Sequence, residues 1–121
     1  MGGLNVGPTE PQYNKQDLEK AYSSLLNDLN EAYWAAGDLQ TKDKLYGYIE
    51  AITEILANID ATDLENRDAG YSSLLQQVSS VNKELQSLQG QINTIISRIN
   101  IAATIVSDVT KVVTIATKVF G

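Results

Sequence analysis

The chain has 121 residues, a formal net charge of −6 and neither Cys nor His. That length allows one domain with a modest core. The missing residue types exclude disulfides, thiol chemistry, zinc–thiolate sites, a Ser-His-Asp triad and the Glu-x-x-His di-iron pattern of metal-carrying bundles.

Residues 1–13 read as a flexible tail, because three glycines and both prolines fall there without any periodicity. The start lacks the cationic region and apolar run of an export signal, and Val6 stands where a myristoylation motif needs Ser or Thr. The expected location is cytoplasmic, or exported without a cleaved signal peptide. Residues 14–121 read as a single helical domain.

A first helix is predicted over about 15–36. Asn14 offers an N-cap with Asp17 three residues on, and Leu18, Tyr22, Leu25, Leu29, Ala32 and Ala36 form the apolar seam. Gly37 offers a C-cap and Asp38 a fresh N-cap. A second helix is predicted over about 41–60, with Leu45, Ile49, Ile52, Leu56 and Ile59 as its seam. Gly47 inside it costs roughly 1 kcal/mol relative to Ala. Thr62 with Glu65 reads as a capping box that opens a third helix near residue 63.

From Leu74 onward one stripe runs at spacings of three and four through Val78, Val81, Leu85, Leu88, Ile92, Ile95, Ile99, Ala102, Val106, Val109, Val113, Ala116 and Phe120. Unbroken phase predicts one long helix over about 63–119, roughly 85 Å at 1.5 Å per residue. Gly90 lies on its polar side; a break there would instead give a compact four-helix bundle. The predicted fold is all-α, an extended helical bundle with coiled-coil character built from two shorter helices and one long one.

Two short helices cover only about half of such a rod. The remainder presents Ile92, Ile95, Ile99, Ala102, Ile105, Val106, Val109, Val112, Val113, Ala116, Val119 and Phe120. This face is wider than a two-stranded zipper needs, so it calls for more than one neighbour. Exposing about a dozen such side chains would forfeit on the order of 20 kcal/mol, more than the ~5–15 kcal/mol net stability of a typical domain. Residues 92–120 are therefore the predicted interface, and a homo-oligomer the expected assembly, with a heterologous helical protein as an alternative partner. A lipid or membrane-surface role, including a pore-forming type, is the alternative. A simple bilayer span over 99–120 is disfavoured by Asn100, Asp108, Lys111 and Lys118.

The charge is unevenly placed, −8 over residues 1–69 and +2 over residues 70–121. The acidic half would be repelled by phosphates, so nucleic acid is not an expected partner. The carboxylates at Asp60, Asp63, Glu65 and Asp68 do not match a calcium loop, since Leu64, Glu65 and Tyr71 occupy its fifth, sixth and twelfth positions. Glu50 and Glu54 share a face opposite the second seam and read as solvated. Tyr33 and Trp34, beside the Gly37 turn, are a possible secondary partner contact. No metal, cofactor or catalytic constellation is legible, and the expectation is a non-enzymatic structural or protein-interaction module.

Overall fold

The computed structural model describes residues 13–120, which form four helices: α1 (Lys15–Ala35), α2 (Leu39–Ala61), α3 (Ala69–Ile95) and α4 (Ile99–Phe120). The chain is an all-α bundle, and the described residues include no strand. Each helix packs on two others: α1 on α2 and α4, and α3 on α2 and α4. Short connections at 36–38 and 96–98 and a longer one at 62–68 make sequential helices antiparallel.

The first helix starts as the sequence dictates. The Asn14 side chain accepts from the Asp17 amide, and the Asp17 carboxylate accepts from the Asn14 amide. Asp38 caps α2 by accepting from the Thr41 amide and hydroxyl, and those two bonds hold its carboxyl below the usual range. Gly37 does not act as a left-handed cap: α1 ends at Ala35, its C-cap Ala36 is in extended backbone, and Gly37 lies in the link that follows. Tyr13, placed in the tail by sequence, is half-buried against the core; residues 1–12 of that tail lie outside the described residues.

Two boundaries differ from the sequence reading. Thr62 and Glu65 do not form a capping box. Thr62 closes α2 and donates its hydroxyl to the Asn58 carbonyl. Asp63 accepts from the Glu65 amide, a local bond that competes with helix, and α3 starts only at Ala69, capped by Asp68. The long helix over 63–119 is also divided. It stops at Ile95, with Ile96 in extended backbone, and restarts at Ile99. Thr94, Ile95 and Ile96 are β-branched and Ser97 follows, a run with little intrinsic helix preference. The fold is the compact four-helix alternative, but the break lies beyond Gly90, which sits inside α3.

The core runs the length of the bundle. Leu18, Tyr22, Leu25, Leu29, Leu45, Ile52, Ile59, Leu74, Val78, Leu85 and Leu88 are buried on the predicted seams of α1 to α3. From α4 come Ile105, Val109 and Val112, all fully buried. Among the described residues one polar side chain is in this core, Asn82, whose Oδ1 accepts from the Tyr22 hydroxyl at 2.7 Å. At the end holding the 62–68 link, the Lys15 ammonium donates to the Asp60 and Thr62 carbonyls, satisfying the C-terminus of α2. The Tyr71 hydroxyl reaches the Phe120 carbonyl there, and their rings lie 5.6 Å apart.

Candidate functional site

The premise of an unpartnered C-terminal rod does not survive. Folding back at 96–98 gives α4 two neighbours, α1 and α3, which is what its wide apolar face requires. Of the predicted interface, Ile92, Ala102, Ile105, Val109, Val112, Ala116 and Phe120 are buried within the chain itself. Ile95, Val106, Val113 and Val119 are partly buried, and Ile99 is exposed. The burial centre on α4 therefore lies toward Ile105 and Val112, rotated away from the stripe of Ile99, Val106 and Val113.

That displaced stripe runs along the α3–α4 flank. Gln89 of α3 donates to the Val106 carbonyl and to the Thr110 hydroxyl, pinning the two helices at mid-length. Toward the far end the flank opens into a groove of about 370 Å³, mostly apolar. Leu75 and Val78 of α3 face Val113, Ala116 and Phe120 of α4 across it, with Asn82, Lys83 and Gln86 among the polar lining. Asn82 thus touches both the core, through Tyr22, and this groove. Burial pushes the Tyr22 hydroxyl well above the ordinary phenol range, with the Asn82 bond opposing, so it stays a donor.

On α4, Asp108 stands midway between Ile101 and Ile115 at seven-residue spacing. Its Oδ2 is buried with no hydrogen-bond partner, and desolvation raises its carboxyl pKa while Lys111 partly offsets this. By length and composition, α4 alone among the described helices could cross a membrane, with mean hydropathy 1.5. A helix packed into a protein core meets the same criterion, and α4 is packed on α1 and α3.

Tyr33 and Trp34 lie at the opposite end of the molecule, where the 36–38 and 96–98 links face each other across a shallow groove. Tyr33 is half-buried against the core, and Trp34 is exposed. Their rings meet edge to face at 5.2 Å, and the Lys42 ammonium sits over both, 4.8 Å from Tyr33 and 5.3 Å from Trp34. Tyr46 closes the cluster at 6.3 Å from Tyr33. A second open groove runs beside Trp34, lined by Glu31 and Ala35 of α1 and by Arg98, Ile99 and Ile101. Sequence spacing singled out Tyr33 and Trp34 but not Ile99 as their neighbour, since that proximity exists only once the third helix breaks.

The groups with displaced titration are Tyr22, Asp38, Tyr48 and Asp108, the third raised by burial and by Glu84. They sit on three helices and a loop, and none of the grooves described above is lined by two of them. No protein-family model, curated protein or solved structure matches this chain, so its surfaces are read from their own chemistry.

Proposed function

We propose that the chain is a non-enzymatic assembly module that self-associates through its α3–α4 flank. The observation that carries this is the stripe left over once α1 and α3 have covered α4. Val106 and Val113 are half-buried at seven-residue spacing, and Val113 lines an apolar groove together with Val78 and Ala116. A heptad-spaced ridge next to a groove suits a second copy of itself, because a two-fold contact sets the ridge of each copy into the groove of the other. The surface is narrower than the whole 92–120 face expected from sequence, since the residues at the burial centre are committed to the chain's own core.

Sedimentation velocity across a concentration series tests the reading. The wild type is expected to show a defined oligomer. Val106→Asp, at the half-exposed flank, is expected to give a folded monomer by circular dichroism and at least a tenfold weaker association. A wild type that stays monomeric, or an oligomer indifferent to Val106→Asp, would overturn it.

A further inference from the structure

The outer face of α4 leads to the point where α1 begins. Ser107, Thr110, Lys111 and Thr114 follow one another at helical spacing, and with Ile115 and Tyr13 they bound a mostly apolar groove of about 380 Å³. While α1 and α3 cover two sides of α4, these four residues stay exposed. Asp108 stands in the same turn, and its Oδ2 is buried without a hydrogen-bond partner among the described residues. A buried oxygen left unsatisfied costs free energy, so this site calls for a donor.

We infer that the occupant of this groove is the chain's own residues 1–12, laid along α4 as a strap with Gln12 beside Thr114 and Thr9 beside Ser107. Tyr13 is a wall of the groove and is bonded to Gln12, so the preceding chain leaves from the groove itself. A second copy or another protein would have to displace that chain and bear the entropy of association. A tethered segment is already present at an effective concentration in the millimolar range.

Length, local preference and charge agree with that register. From Ile115 to Ser107 the helix axis runs about 12 Å, which four extended residues span at about 3.3 Å each. Pro8 and Pro11 fix their own φ and drive Gly7 and Glu10 toward extended backbone, which suits a strap and opposes a helix. Glu10 is the one charged side chain of residues 1–12, and this register sets it against Lys111. The Thr9 hydroxyl, at the level of Ser107, is a donor for the Asp108 Oδ2. The strap closes a third side of α4 and holds in the bundle the helix whose length and composition would otherwise suit a bilayer. Val106 and Val113 do not line this groove, so the docking stands independently of self-association.

The chain has no cysteine, so a nitroxide can be attached at one chosen position of the full chain. Labels on Gln12→Cys and on Thr9→Cys are compared by the paramagnetic broadening of backbone amide signals. The maximum is expected near Thr114 for the first label and is expected to move to Ser107 for the second. Glu10→Lys, made in the Thr9→Cys chain, lies outside the four helices and leaves their packing intact. It is expected to weaken the broadening at Ser107 about threefold, because the contact with Lys111 turns repulsive. The inference is overturned if the maximum does not move with the label, if broadening spreads evenly over all four helices, or if it is indifferent to Glu10→Lys. It is overturned too if labelled chains broaden the signals of unlabelled, isotope-enriched chains mixed with them to the same extent, which would assign the groove to the same segment of a second copy.

Discussion

Tyr22 and Asn82 meet deep in the bundle, across the diagonal between α1 and α3, and their bond is the one side-chain hydrogen bond at the centre of the apolar core. Tyr22→Phe removes the donor and leaves the Asn82 oxygen unsatisfied, at a cost of about 1–3 kcal/mol. Pairing it with Asn82→Leu should recover most of that loss, since an apolar pair leaves nothing unpaired; chemical denaturation of the two single variants and the double one measures the coupling. Tyr22 was legible as a seam residue. Asn82 was not singled out, although Val78 four residues before it and Leu85 three after place it on the apolar face. Asp108 poses the opposite case. Its carboxyl has a raised pKa in the fold because burial disfavours the charged form, so the native state binds that proton more tightly than the unfolded chain does. Asp108 therefore subtracts stability above its folded pKa, and the deficit shrinks as pH falls through that value. Asp108→Asn is expected to raise the melting temperature by a few degrees at neutral pH. The gain should fade on acidification, and a gain that grows toward low pH would contradict the assignment.

At the level of elements, the capping residues Asn14 and Asp38 were readable because each is a local arrangement of side chain and amide, complete within four residues. The break at 96–98 was not, and the reason is geometric. Ile95 and Ile99 are four apart, so the link preserves the alternation of threes and fours although no helix runs through it. Phase continuity reports helix only where every residue between is helical. Gly90, the visible candidate for a break, is instead tolerated in mid-helix, because tertiary packing outweighs the weakness of a single residue. A Cβ added at Gly90 or Gly47 meets nothing within 4 Å. Gly90→Ala and Gly47→Ala should each stabilise by about 0.5–1 kcal/mol through a less free unfolded chain and better helix preference, read as a higher denaturation midpoint at unchanged slope.

For the whole molecule, the amount of apolar surface was legible and its destination was not. The sequence demanded more than one neighbour for the 92–120 face, and the fold supplies α1 and α3 from the same chain. The phase of the seam does not distinguish such a hairpin from a rod awaiting other copies, since the link keeps the alternation of threes and fours. The consequence is that α4 belongs to the core of a single protomer, and α1 depends on it. Leu18, Tyr22, Leu25 and Leu29 are fully buried on a helix whose two neighbours are α2 and α4. A chain ending at Arg98 would keep α2 against α1 but uncover the rest of that seam, together with the α3 residues that meet α4. Uncovering even four such side chains forfeits on the order of 6–12 kcal/mol, comparable to the ~5–15 kcal/mol that holds a domain of this size. The shortened chain is thus expected to lose cooperative thermal unfolding and to bind a hydrophobic dye while keeping part of its helical signal. A self-sufficient α1–α3 with α4 as a separate interaction arm would instead melt as sharply as the full chain, and a calorimetric scan of the two side by side tells these architectures apart.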